Sequence, residues 1–263
     1  MADVKKLSEL LVEAVGKNLG GKIAVAFSGG LDSSTIATIA KQKCSPALIT
    51  VGVEGSEDLL AARKVAGEMG LELHEVVVDK KMLLFDYEEM WKLMPGTLVD
   101  VELMCAVYEV CKRAKELGCT AVLFGSGAEE LFVGYHKYYS ALEEGKDLDE
   151  ILRREIETLP QRDIKRSCAV AKFCGVEARV PFMEKELVEA VFSIPAKERM
   201  GKIEMKKPLL REMAKELCVP SLAVERQKKA MQYGSNIHRI FLGMVKRNEI
   251  EAREPRAPFD YGK

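Results

Sequence analysis

Apolar residues fall along this chain in two alternating rhythms. Leu7, Leu10, Leu11, Ala14 and Val15 recur at helical spacing, so the chain opens with an amphipathic helix, which Asn18, Gly20 and Gly21 bring to a stop. Residues 22–27 (KIAVAF) then form a short continuous apolar run, the pattern of a buried strand in a parallel sheet. Apolar runs at 47–53 and 121–124, and a mixed pattern ending in three valines at 71–78, predict three more strands. Between them, residues 35–43 read as a helix, Leu59, Ala62, Ala66 and Met69 share one helical face, and Leu103, Ala106, Val107, Val110, Ala114 and Leu117 form a stripe over 101–117. Strands alternating with helices of this length predict parallel crossover units. The expected fold class is therefore α/β, a Rossmann-like parallel sheet with flanking helices.

Beyond about Tyr139 the strand signals fade. The remainder reads as mainly helical, with Ile237, Ile240, Phe241, Met244 and Val245 marking a late amphipathic helix, and with Pro255 and Pro258 in a tail or loosely docked end. No repeat or low-complexity linker divides the 263 residues, so one unit spanning 1–263 is expected, with an α/β core at about 21–139 and a helical part at about 140–263.

Composition narrows the function classes. Lysine plus arginine (40) nearly balance aspartate plus glutamate (41), which argues against a general nucleic-acid binder. None of the seven cysteines forms a Cys-x-x-Cys pair, so neither a zinc knuckle nor a thioredoxin-like pair is indicated, and each is expected to behave as a small buried apolar residue. His74, His136 and His238 are isolated, without the spacing of a metal site or a triad, and read as structural or surface residues. No apolar run is long enough to span a bilayer and the start is not a signal peptide, so a cytoplasmic location is expected.

The chemistry concentrates at residues 28–34 (SGGLDSS), where the first strand passes into a helix. In open parallel sheets ligands bind beyond the carboxyl ends of strands. Gly29 and Gly30 permit close backbone approach. A helix start offers free N–H groups and a positive dipole end to an anion, and Ser28, Ser33 and Ser34 add hydroxyls. Asp32 would be repelled by bare phosphate, so it points to a Mg2+ ion bridging the two. The stretch is neither a Walker A loop nor a GxGxxG fingerprint. Taken alone, GG-x-D reads equally as a glycine turn followed by an ordinary helix cap.

The full SGGLDSS string resembles the PP-loop of the N-type ATP pyrophosphatases. Further stretches resemble the synthetase domain of the asparagine synthetase family: VGVEGSEDL at 51–59, GSGAEELFVGY at 125–135, GVEARVPFME at 175–184, KPLLRE at 207–212 and RQK at 226–228. They run in family order over most of the chain. The resemblance implies an enzyme that uses ATP and Mg2+, activates a carboxylate at the α-phosphate with release of pyrophosphate, and amidates it with ammonia or an amine. It implies nucleotide contacts at Phe27, Ser28, Gly29, Gly30, Asp32, Ser33, Ser34, Val51, Gly125 and Lys228, metal ligands at Asp32 and Glu129, and catalytic positions at Lys207 and Ser126. It also places Arg179 near the acceptor pocket, holding acids; Arg226 with Lys228 and Lys229 forms a small basic cluster that reads either as a pyrophosphate contact or as plain surface. Read from sequence alone, Glu129 and Glu130 are equally acids at a solvated helix start, and Lys207 is one of two adjacent surface lysines.

The chain departs from the family at four places. Ser126 stands where the family has a glutamate proposed to handle the amine's proton, and a hydroxyl cannot act as that base near neutral pH. Glu129 and Glu184 replace aspartates. Met1 is followed by Ala2 instead of the glutaminase cysteine, and about one helix precedes the first strand, so no glutamine hydrolysis is expected within this chain. Nitrogen would come as ammonia, from an amine, or from a separate amidotransferase. Two other readings compete with the amide-forming synthetase: a PP-loop enzyme that adenylates a tRNA base, and an ATP-binding protein without turnover. The first would usually carry zinc-binding cysteine pairs or a basic appendage, and neither is visible. The second is kept open by Ser126.

Overall fold

The computed structural model describes residues 3–227 and 231–250. Five short strands, β1 (Ile23–Ala26), β2 (Ala47–Gly52), β3 (Leu73–Val77), β4 (Ala121–Leu123) and β5 (Glu177–Arg179), pair in parallel in the order β3-β2-β1-β4-β5. The two-residue period of a strand sorts their side chains into two layers. Ile23, Val25, Leu48, Ala121 and Leu123 face one core, while Ala24, Ile49, Val51 and Val122 face the other.

The helices follow in chain order. Those of the first half are α1 (Val4–Lys17), α2 (Leu31–Lys41), α3 (Glu57–Met69), α4 (Lys80–Leu93), α5 (Leu98–Glu116), α6 (Ala128–Leu131) and α7 (His136–Glu143). Next come α8 (Leu148–Thr158), α9 (Asp163–Cys174), α10 (Lys185–Phe192), α11 (Ala196–Arg199), α12 (Pro208–Glu216), α13 (Ser221–Glu225), α14 (Met231–Gly234) and α15 (Ile237–Lys246). Helices α1, α2, α3, α8, α10 and α12 close the first core, and α4, α5, α9 and α15 close the second. The expected α/β sheet with flanking helices is thus present, and both of its faces are covered, as a parallel sheet requires.

Two elements were not expected. β5 lies in the part read as helical; it is three residues long, at the sheet edge, with Glu177 exposed, so it has no apolar pattern of its own and is a strand because β4 pairs with it. α4 begins where the sequence carried no assigned element, and Asp79 caps it by accepting the Met82 N–H at 2.8 Å. Arg179 also differs from expectation. Its guanidinium donates to the carbonyls of Asn18 (2.9 Å) and Gly20 (2.8 Å) and to Glu177, fastening the strap between α1 and β1 instead of holding acids in a pocket. All seven cysteines are free, but Cys168 and Cys218 are exposed, contrary to the buried role expected of them. Among the described residues no helix is long and apolar enough to cross a membrane.

The chain steps from β1 outward to β2 and β3, then returns past β1 to β4 and β5. That reversal opens a crevice at the carboxyl ends of β1 and β4, the place where open α/β sheets bind ligands. Phe182, fully buried and edge-on to Phe132 at 6.1 Å, supports this crevice from below.

Two predictions test this architecture. Phe182→Ala should lower the free energy of unfolding by roughly 3–5 kcal/mol, as deletion of a buried aromatic does, read by urea titration. Asp86 on α4 is buried, its Oδ2 lacks a hydrogen-bond partner, and burial first, with Glu109 second, pushes its pKa up from 3.8 to about 7. The folded state therefore holds a proton that the unfolded chain has released, so Asp86 costs stability progressively as pH rises from 3.8 to about 7. Asp86→Asn should lose less melting temperature than the parent between pH 5 and pH 8; equal losses would refute this origin.

Candidate active site

β1 turns into α2 through residues 27–30, and the turn is possible only with glycine at its second step. Gly29 has φ +64, and a Cβ there would lie 2.7–2.8 Å from backbone atoms of Ala61 and Ala62 on α3. Gly30 is the N-cap of α2 and makes no side-chain cap hydrogen bond, which leaves the first-turn N–H groups for a ligand. The Ser33 hydroxyl donates to the Gly30 carbonyl at 3.3 Å and accepts the Ser28 N–H at 3.3 Å, tightening the turn. Arg226 donates to the Ser28 carbonyl and to Asp58, each at 2.7 Å, so a segment almost 200 positions downstream ties the loop to α3.

Three charged side chains from separate segments meet beside this loop. Lys207 is 7% exposed, and its Nζ donates to both oxygens of Asp32, at 2.9 and 2.8 Å, and lies 2.8 Å from Glu129 Oε1. Burial works to lower the Lys207 pKa, but the attraction of Asp32 and Glu129 outweighs it and the pKa is raised, so the residue is an ammonium at any physiological pH. Lys207 has φ 58 and ψ 48, a left-handed backbone uncommon for a non-glycine residue, immediately before Pro208 opens α12. Val133, a β-branched residue with φ 55, carries similar strain, of order 1–3 kcal/mol. Beside it, Gly134 leaves the space that Glu129 and Lys207 use: a Cβ there would overlap the Glu129 carboxylate and the Lys207 stem. Gly125 is small for a related reason, since a Cβ on it would stand 3.2 Å from that of Asp32.

Because Asp32 and Glu129 both reach one cation, they can share a metal ion. Their oxygens, with phosphate oxygens completing the shell, suit a hard divalent ion such as Mg2+. Among the described residues no set of three or more His, Cys, Asp and Glu is placed to hold a metal, so water or phosphate oxygens would complete the shell of an ion held by these two.

Phe27, Ser28, Asp32, Ser33, Val51, Gly125, Ser126, Glu129 and Lys207 line one cleft of about 960 Å³. Gly29, Gly30 and Ser34 do not line it; the glycines shape the turn, and Ser34 is fully buried with its hydroxyl unpartnered. Lys228 and Lys229 lie outside the described residues. Ile49 and Val51 from β2 and Met104 and Val107 from α5 give one end of the cleft an apolar wall, while Glu130, Tyr135 and Arg166 line another part.

Sequence reasoning passed over several of these positions. Glu130 is 2% exposed and faces the cleft, with its pKa pushed up to about 7 chiefly by burial and then by Glu129 and Glu155. Of the adjacent acids only the first was singled out, and nothing in the sequence distinguishes which of them is buried. Arg226 was read as part of a basic cluster for pyrophosphate or as a surface residue; among the described residues it donates to Ser28 and Asp58. Arg211 donates to the carbonyls of Lys206 (2.7 Å), Val224 and Arg226 (3.3 Å), joining the lysine segment to the Arg226 strap. Asp58 and Gly134 lay within family-like stretches, which was the available signal. His136, read as isolated, borders the cleft. His238 pairs with the buried Glu102 at 2.8 Å, a structural role as expected.

Comparison with known proteins fits this arrangement. Residues 6–146 and 140–252 match the asparagine synthase family. Asparagine synthetase B (glutamine-hydrolyzing) of Escherichia coli is 27% identical over 99% of this chain and 51% of its own length. Asparagine synthetase (glutamine-hydrolyzing) of Gallus gallus is 31% identical over 86% of this chain and 42% of its own. The chain thus spans about half the length, or less, of these relatives. The solved NMN synthetase of Francisella tularensis aligns over 99% of this chain and 100% of its own, with a TM-score of 0.49 at 12% identity. The family match covers well over half of the chain, and the chain belongs to the asparagine synthase family.

Proposed function

We propose that this chain is a Mg2+- and ATP-dependent adenylating synthetase. A substrate carboxylate attacks the α-phosphorus of ATP, the bond to the β-phosphate oxygen breaks and pyrophosphate leaves. The resulting acyl-adenylate is then attacked at carbon by ammonia or an amine, AMP departs, and an amide forms. The observation that carries this reading is the convergence of Asp32, Glu129 and Lys207 at the mouth of an uncapped helix start.

Each residue has a task that follows from its position. The turn at Gly29 and the free amides of α2 receive phosphate oxygens. The apolar wall of Ile49, Val51, Met104 and Val107 suits the adenine ring. Asp32 and Glu129 would hold Mg2+, whose chemistry is to neutralise phosphate charge. Lys207, cationic throughout, stabilises negative charge as bonds change at the α-phosphate. Nitrogen arrives as free ammonia, as an amine, or from a separate amidotransferase.

Ser126 favours a second reading. It lines the cleft with a hydroxyl where the family has a carboxylate, so the amine's proton lacks that acceptor. Under this reading the chain binds ATP without forming an amide.

Pyrophosphate release, screened across amino acids and other carboxylates with ammonia and glutamine compared, separates the two. The synthetase reading expects release that depends on one acid, and at least about a 10²-fold loss in Asp32→Ala, the scale of removing one preorganised electrostatic group. Pyrophosphate release without amide, or ATP binding without release under every mixture, would favour the second reading. A further prediction concerns the missing base: Ser126→Glu should raise amide formed per pyrophosphate on the order of tenfold or more, measured by product mass spectrometry. An unchanged ratio would show that proton removal at this position does not limit the second step.

A further inference from the structure

The ammonium of Lys207 occupies the point on which both proposed metal ligands converge. It engages both oxygens of Asp32 and the nearest oxygen of Glu129, all within 2.9 Å. A second cation on those oxygens is opposed while the ammonium stays, because two positive charges at contact distance repel. With the lysine in place the three groups sum to one negative charge. Removing the lysine without a replacement would leave two partly exposed carboxylates facing one another, which repel.

We propose that Lys207 is the resident counter-ion of the Asp32–Glu129 pair, expelled from it by the arriving divalent cation and thereby delivered to the nucleotide's phosphates. This rests on the reading above that the two carboxylates hold the metal. The geometry makes the move a matter of the side chain alone. The backbone on either side is held, by the Arg211 bond to the Lys206 carbonyl and by Pro208 at the start of α12. The four-carbon stem is flexible, and it borders a cleft of about 960 Å³ into which it can swing. Gly134 places no side chain against the stem. Asp32 lies in the first turn of α2, so an ammonium released from it starts within one side-chain length of any phosphate seated on that helix start.

The lysine then acts twice in a fixed order. In the empty site it neutralises two carboxylates; in the loaded site it is free to stabilise charge on the phosphates. Free metal alone competes poorly with it, whereas metal arriving with a nucleotide offers the lysine a new anionic partner.

Mn2+ binding to the nucleotide-free chain, followed by electron paramagnetic resonance, tests this. The parent protein should bind Mn2+ weakly, Lys207→Met should bind it at least tenfold more tightly, and Lys207→Met with Asp32→Asn should lose the gain. If Lys207→Met binds no more tightly than the parent while Asp32→Asn still weakens binding, the counter-ion role is wrong and the metal assignment stands. If Asp32→Asn and Glu129→Gln change Mn2+ binding in neither background, the metal assignment itself fails. A second measurement needs no loss of charge. After reductive 13C-dimethylation, which keeps lysine cationic, the Lys207 resonance (identified by its absence in Lys207→Arg) should shift on saturation with Mg2+, and a resonance that stays in place overturns the proposal.

Discussion

Two partly exposed carboxylates and one buried ammonium within hydrogen-bond distance set the terms for everything around them. Lys207 would lose much of its solvation energy without partners, and Asp32 beside Glu129 would repel without a cation between them. Satisfying all three at once requires α2, α6 and the approach to α12 to arrive at one point. That requirement explains the surrounding sequence better than local propensity does. Gly125 and Gly134 are small because neighbouring charged groups need the space. Arg211 and Arg226 spend their hydrogen bonds on carbonyls and on Asp58, which fixes the segments carrying the charges.

The sheet supplies the other half of the constraint. With β1 central and the strand order reversing between β1 and β4, the turn after β1 and the turn after β4 open side by side. Asp32 belongs to the first and Glu129 to the second, so their meeting is a result of topology. Lys207 comes from the helical half, which packs through α12 against α1 and α2. The carboxylate pair is therefore a property of the sheet, and the lysine is what ties the helical half to it chemically.

Much of this was legible in the sequence, for identifiable reasons. Continuous apolar runs marked β1, β2 and β4 because strands buried on both faces leave no room for polar residues; β3, at the sheet edge and partly exposed, showed only as a mixed pattern. The glycine turn and its aspartate were legible because φ +64 against a neighbouring backbone admits no other residue. β5 was not legible, since three residues at an edge borrow their conformation from β4. Lys207 could be found only through its family-like surroundings: a lysine beside a lysine carries no mark of burial, and its partners stand 78 and 175 positions away in sequence. Arg179 and Arg226 were placed near the site through their family-like surroundings; each divides its hydrogen bonds between backbone carbonyls and one carboxylate, Glu177 or Asp58.

The strained residues complete the physical account. Val133 and Lys207 each hold a left-handed backbone, and the space beside Gly134, next to Val133, is filled by the Glu129 carboxylate and the Lys207 stem. Strain of this kind persists only where the surroundings over-determine it. Beneath Val133 the structure does so: Phe132 is fully buried edge-on to Phe182, and the Gly134 N–H is bonded to the Glu129 carbonyl at 2.8 Å. Beneath Lys207 it does so again, through Pro208 and the Arg211 bond to the preceding carbonyl. Relaxing either residue to an ordinary backbone would turn its neighbouring charge away from the cleft. The fold therefore spends local strain to keep an acid and a base aimed at one another, and the interlocked aromatic core is what makes that arrangement sustainable.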